Sequence, residues 1–353
     1  MGNDPIECMF RQQEYKPIGS QPEDFIEEKM INNSKDVLTE FKSLEKFKKK
    51  LWEGIGPRIR PNAWRILFKY IPLNKNNELT ILQEKRKEYQ EFKETNREEK
   101  FEQENDVNIL ELLKVIRKDI VRTLPDSHLF RHPEIQNAMT RILIIYSVRH
   151  PSNYYSQGMN DILAPIFCIF VAEKFEMTYI QLENNIRKVE EKITEESLLD
   201  AEADAFHCFS LFLSTIKQNY IKGFDGIYAN LKRLNDLILK SDKELHKHFE
   251  ENDVEIFHFA FRWCFCLLFR ELPLNLSTKL MDFYLTEDSS QDELCLYLML
   301  ALVLKFSTRL KELKKEQIII FLQRLPTGSW GDQDIHLLVS EAFVLKNMFK
   351  LDE

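Results

Sequence analysis

Three segments of the chain carry residue types and spacings capable of chemistry. The first is Ile116-Arg117-Lys118-Asp119-Ile120-Val121-Arg122-Thr123. Asp119 and Arg122 stand three apart, so they share a face at the end of a helix and can pair charges. The second is Tyr154-Tyr155-Ser156-Gln157-Gly158-Met159-Asn160-Asp161, where aromatics, a carboxamide and a glycine crowd an irregular stretch between apolar helices. The third runs from Gly54 to Trp64 and sets Arg60 four residues before the indole. Each also has a plain structural reading. Asp119 with Arg122 is an ordinary surface pair worth roughly a few tenths of a kcal/mol. Gln157 caps a backbone group, and Asn160 is a good helix N-cap. Arg60 bonds a neighbouring helix while Trp64 packs.

No other constellation suggests a conventional active site. No phosphate-binding loop of the GxxxxGK[ST] kind occurs, nor a GxGxxG turn, a GxSxG elbow or a Cys–His signature. His246 and His248 are two apart and point away from each other on a helix, which argues against a metal pair. The six cysteines stand at 8, 168, 208, 264, 266 and 295 with no CxxC spacing, and read as buried free thiols of a reducing compartment.

Composition bounds the rest. The 353 residues are 44% hydrophobic with 26 Phe, enough for one large domain or two modest ones. Only 9 Gly and 12 Pro argue against a turn-rich sandwich or barrel. The formal net charge of −8 disfavours nucleic acid, whose phosphates need a basic face. The uncharged apolar runs 162–172 and 294–304 fall short of the roughly 20 residues that cross a bilayer. Residues 1–35 are polar, carry no apolar signal-peptide core and read as a flexible tail. Met1-Gly2-Asn3 hints at N-myristoylation, against which Ile6 stands where Ser or Thr is usual.

The elements that must position the polar segments are helices. Phe41, Leu44, Phe47 and Leu51 share one face, stopped by Gly54 and Gly56-Pro57. Pro61 opens the next helix, with Trp64, Leu67, Phe68 and Ile71 inward. Leu79–Phe101 reads as a charged surface helix, fraying beyond Phe92. Ile109, Leu112, Leu113, Ile116 and Ile120 mark the helix that ends near Arg122. Ile135 to Tyr146 mark another, ended by His150-Pro151. Residues 154–160 are a loop, and 161–175 a buried helix whose Pro165 either kinks it or opens it. The charge-rich stretch 183–196 reads as a solvated connection. Further helices are expected over 203–218, 226–240, 242–250, 254–270, 277–285, 292–306, 315–323 and 332–349. No stretch alternates as a strand would. The expectation is an all-α protein of about sixteen helices in two packed lobes, residues 36–222 and 223–353, dividing where Gly223 and Gly226 break the pattern.

In this order and spacing the motifs resemble a TBC domain, the activating domain of Rab GTPase-activating proteins. The family's IxxDxxR matches Ile116, Asp119 and Arg122, its YxQ matches Tyr155 and Gln157, and its RxxxW matches Arg60 and Trp64. Phe259-Ala260-Phe261-Arg262-Trp263 with Arg270-Glu271 resembles its RW…RE segment. The likeness runs from about Leu51 to Phe349. Arg149-His150-Pro151, the run Tyr155 to Pro165 and Leu325-Pro326-Thr327 resemble the member-22 branch and its yeast Golgi counterpart. Gly56, and Met281 within Leu280-Met281-Asp282, depart from the common pattern.

The resemblance implies a regulator rather than an enzyme in its own right. It implies an activator of a GTP-bound Rab in vesicle trafficking, cytoplasmic or peripheral at Golgi membranes, associating with them through its partner or its tail. Arg122 would be an arginine finger and Gln157 a glutamine finger, with Asp119 holding the Arg122 segment by charge-assisted hydrogen bonding. Tyr155 would brace the glutamine loop and touch the partner's backbone, and Gly158 would permit close backbone approach beside Asn160. Ile116, Arg60 and Trp64 would be structural; the Arg262–Arg270 segment lines the groove or fills the second lobe's core. No cofactor or metal belongs to this chain, since GTP and Mg²⁺ would arrive with the partner. A non-catalytic Rab-binding or scaffold module on the same fold is the alternative.

Overall fold

The computed structural model describes residues 43–52, 54–73, 77–104, 106–221 and 223–350, so the expected tail and its myristoylation signal lie outside the described residues. All regular structure among them is helical. Leu44–Leu51 (α1), Arg60–Leu67 (α2), Glu78–Thr95 (α3), Glu98–Gln103 (α4), Val107–Val121 (α5), Pro133–Arg149 (α6), Met159–Lys174 (α7), Tyr179–Val189 (α8) and Glu195–Thr215 (α9) come first. Asp225–Ser241 (α10), Lys243–Glu251 (α11), Phe257–Phe265 (α12), Leu274–Thr286 (α13), Gln291–Lys305 (α14), Ser307–Leu310 (α15), Lys315–Gln323 (α16) and Asp332–Lys350 (α17) follow. The described residues form two compact units, one of residues 43–215 with 281–286, the other of 216–280 with 287–350. The sequence placed the division at 222/223, seven residues on; what it does not reveal is that the end of α13 joins the N-terminal unit. The reason is chemical. Asp282 accepts from Arg60 Nε at 3.1 Å and Nη2 at 3.0 Å and from the Trp64 indole at 2.6 Å, all buried. Arg60 also donates to the Ile55 carbonyl at 2.9 Å. The RxxxW motif is thus a latch on Asp282.

In the N-terminal unit, α7 is the central element. Its residues from Met159 to Ala172 are buried apart from Asp161, and it packs on α9, with α2, α6 and α8 also against it. Pro165 lies inside the helix rather than in its opening turn, which forfeits one backbone hydrogen bond. The stretch read as a solvated connection is largely α8. Thr178 and Gln181 form a capping box, and Tyr179, Leu182, Ile186 and Val189 are buried. A boundary at residue 183 hides this helix, because its first two anchors precede that point. The charged segment 79–101 is two helices, broken where the Asn96 side chain caps the Phe92 carbonyl at 2.7 Å.

Two fully buried carboxylates of this unit are each held by arginine and tyrosine donors. Asp204, fully buried, accepts from Arg65 Nε at 3.0 Å, Arg86 Nη2 at 2.7 Å and Tyr70 at 2.9 Å. Glu202, also fully buried, accepts from Arg141 Nε at 2.8 Å and Tyr89 at 2.7 Å. Burial pushes the Asp204 pKa up, but hydrogen bonds from Arg86 and the charge of Arg65 outweigh it and hold the carboxyl below its ordinary value. A carboxylate so depressed contributes stability above its unfolded pKa, near ~4, and loses it as pH falls through the folded value. Asp204→Ala should therefore cost about 3–5 kcal/mol near neutral pH, because Arg65 and Arg86 lose their shared buried counter-charge and keep only the more exposed Glu173 and Asp200. Urea denaturation at pH 7 measures this, and the gap to wild type should narrow in strong acid.

In the C-terminal unit, α14 is buried from Leu294 to Val303, with α10, α12 and α17 against it. The helix expected over 254–270 ends at Phe265, and Leu267 (φ 47°) and Leu268 (φ 63°) reverse the chain in the left-handed region. The reversal brings Glu271 back onto Arg262, at 2.7 Å and 2.8 Å, in a buried pair. Arg262 is therefore core of this unit. Neither glycine nor proline marks the break, so periodicity alone runs through it. The described cysteines are all free and buried, and burial pushes the thiols of Cys168, Cys208 and Cys264 up, which suppresses their thiolates.

Candidate functional site

Arg122 and Gln157 lie on two segments of the N-terminal unit that a buried hydrogen-bond network ties together. Helix α5 starts at an Asp106 cap and turns Leu113, Ile116 and Ile120 inward. It ends in a tightened turn, with the Arg122 amide on the Asp119 carbonyl and the Thr123 amide on the Ile120 carbonyl, each at 3.0 Å. Leu124 then takes a left-handed φ of 46°. The chain beyond is fixed from α8: the Glu183 carboxylate accepts from the Ser127 hydroxyl at 2.8 Å and the His128 amide at 2.6 Å.

The second segment hangs from the end of α6. Ser147 accepts the Tyr155 amide at 3.0 Å, and Asn153 reaches the Tyr146 hydroxyl at 3.1 Å. Ser156 to Met159 form a turn closed by Met159 N–H on the Ser156 carbonyl at 3.1 Å. Gly158 takes φ 110° at its third position, where a side chain would be strained. Gln157 is the remaining central residue, at the tip of the turn.

Between these segments lie Asp119, Thr123, Tyr155 and Asn160, all buried. The Tyr155 hydroxyl is 2.7 Å from Asp119 Oδ2 and 3.1 Å from Asn160 Oδ1. Its one proton goes to the carboxylate, the stronger acceptor. Asn160 accepts the Gly158 amide at 3.0 Å and donates to the Thr123 hydroxyl at 2.9 Å. Thr123 in turn donates to the Asp119 carbonyl at 2.9 Å. The geometry departs from the sequence reading in four places. Asp119 is no surface partner of Arg122; it is buried and holds the Arg122 turn through Tyr155. The Tyr155 hydroxyl points into the protein rather than toward a partner's backbone. Asn160 lies in the first turn of α7, whose N-cap is Gly158, and its carboxamide bridges the segments. Gly158 is itself buried, so its role is the turn it permits.

Outside the network the two long side chains are left over. Arg122 is exposed, and its guanidinium makes no hydrogen bond or ion pair among the described residues. The Gln157 carboxamide likewise has no hydrogen-bond partner among them, and the residue is half-buried. Other arginines of this unit, Arg60, Arg65, Arg86, Arg117 and Arg141, are all ion-paired. Ile116 is fully buried below α5, and Arg60 and Trp64 serve Asp282 rather than this network. Thr123, Ser147 and Glu183 escape sequence reasoning. Only the adjacency of Thr123 to Arg122 could have drawn attention; the other two act through folding alone. Tyr155→Phe should destabilise the fold by about 2 kcal/mol, since a hydrogen bond to a buried charge is lost. Thermal or urea unfolding checks it.

The chain is 35% identical over 307 residues to TBC1 domain family member 22B of Homo sapiens, covering 87% of this chain and 59% of that protein. It is 34% identical over 306 residues to the GTPase-activating protein gyp1 of Schizosaccharomyces pombe, covering 84% and 57%. The chain thus spans about three fifths of the length of these relatives. Its fold matches the crystal structure of the Ypt/Rab-GAP domain of Gyp1p with a TM-score of 0.81 at 31% identity, covering 92% of this chain and 99% of that one. The family model for the Rab-GTPase-TBC domain matches residues 57–311, which include α5, the Gln157 turn and the Asp282 latch, and the chain belongs to that family.

Proposed function

We propose that this chain activates GTP hydrolysis by a GTP-bound Rab GTPase, supplying Arg122 and Gln157 to the partner's nucleotide site. One observation carries the reading: two long polar side chains have no hydrogen-bond or ion-pair partner among the described residues, while the backbone beneath each is fixed by a shared buried network. A guanidinium is planar, permanently charged and able to contact two oxygens at once, which suits charge developing on a transferring phosphate. An arginine given in trans raises hydrolysis by about 10³ to 10⁵. A carboxamide both donates and accepts, so Gln157 can orient an attacking water. Asp119, Thr123, Tyr155 and Asn160 would keep the two groups at fixed separation, and that preorganisation lowers the barrier. GTP and Mg²⁺ belong to the partner, and the chain acts as a regulator of the partner's reaction. No described helix is long and apolar enough to cross a membrane, so a place at Golgi membranes would depend on the partner or on contacts outside the described residues.

The test is a panel of GTP-loaded Rab GTPases with phosphate release as readout. Catalytic amounts of the chain should accelerate release by at least one of them. Binding without acceleration would point instead to a non-catalytic binding module.

A further inference from the structure

We propose that Val115, Lys118 and Tyr154 form a recognition collar around the two fingers and set affinity for the GTP-bound partner; this rests on the activating function proposed above. Helix α5 is sided. Leu113, Ile116 and Ile120 face the core, Asp119 faces the Gln157 segment, and Arg117 pairs with Glu98 of α4. The remaining side is open, and it carries Val115, Lys118 and Arg122 at i, i+3 and i+7, in one line along two turns.

The composition of that side is unusual for solvent. On that side Val115 is 46% exposed, and Val107 and Val121, on adjoining faces of the same helix, are 66% and 62% exposed. Single exposed apolar residues are ordinary, but several on the helix that presents the site residue suggest a covered surface. Glu111 pairs with Lys114 at 2.7 Å, leaving exposed Lys118 without an ion pair among the described residues. Across the network, Tyr154 directly precedes Tyr155 and is 59% exposed. An aromatic ring with a polar tip is a common interface anchor.

Reach decides the occupant. Arg122 can touch a phosphate held by another protein only if that protein's surface comes within one side chain's length of α5. Val115 and Lys118 lie within about two turns of Arg122, roughly 10 Å along the axis. The surface surrounding the bound nucleotide must therefore lie over them as well. Val115 and Tyr154 would bury apolar area there, and Lys118 would meet acidic side chains, accelerating encounter in a salt-dependent way. These contacts exist equally in the ground and transition states, so they lower the half-saturating concentration without changing the saturated rate.

The experiment uses the full chain and a Rab GTPase it stimulates, with initial rates measured across GTPase concentration. Val115→Ser, Lys118→Glu and Tyr154→Ala should each raise the half-saturating concentration about fivefold or more, with saturated rates within twofold of wild type. The Lys118→Glu change should also flatten the dependence on salt. Circular dichroism and urea midpoints establish that each variant folds. Unchanged half-saturation in all three folded variants would overturn the collar while leaving the activating function standing. If the wild-type chain neither stimulates nor binds any GTP-loaded Rab, both proposals fall together.

Discussion

Replacing Arg122 by lysine should lower the saturated rate of stimulated GTP hydrolysis by at least about a hundredfold. The charge survives this change, but the planar fork does not, and a lysine ammonium is more strongly hydrated and offers a point contact. The guanidinium makes no hydrogen bond or ion pair among the described residues, and the backbone turn beneath it is held by Asp119 and Thr123. The variant should therefore unfold at the same urea concentration as wild type, within about 0.5 kcal/mol, as is usual for exposed sites. The combination matters. Loss of rate with stability intact assigns Arg122 to the reaction. Full activity in the lysine variant would remove it from that role, whatever becomes of the family assignment.

Gln157→Ala is expected to cost a similar factor, at least about a hundredfold, by a different route. A water that is poorly oriented for attack loses the benefit of a fixed geometry, and positioning alone can carry many kcal/mol of a barrier. The turn that presents Gln157 is closed by backbone bonds and by the left-handed Gly158, none of which involves the carboxamide. The fold should be indifferent to the change. Single-turnover hydrolysis with excess activator separates the two explanations of a slow rate. A defect that persists when all the GTPase is bound lies in the chemistry, whereas one that vanishes lies in affinity. If the two substitutions are combined, their joint effect should be smaller than the product of the singles, as expected if both groups act on one transition state.

The helical class and most helix positions follow from local facts. The face Leu113–Ile116–Ile120 repeats with the helix period, and that period is a property of the backbone whatever surrounds it. The errors fall where local patterns lose authority. Helix α8 is obscured because its six polar or charged residues outnumber the four buried anchors. The break after Phe265 is silent, since two leucines take a left-handed conformation that the buried Arg262–Glu271 pair helps to hold. Pro165, equally compatible with the start or the middle of a helix, was placed by the turn at Gly158 that starts α7 seven residues earlier.

By itself the sequence determined the residue types that any chemistry must use, the helical periodicity that carries them, and the lack of a nucleotide loop of its own. Which of those residues are spent on structure and which remain available was decided only by the tertiary fold. Spacing along α5 permits an Asp119–Arg122 ion pair, yet the carboxylate is taken by the hydroxyl of Tyr155, 36 residues away in the chain. A buried charge must be satisfied by close donors, and an exposed ion pair offers little to compete with that. The arginine is thereby left to solvent, while the same network holds the turn that carries Gln157.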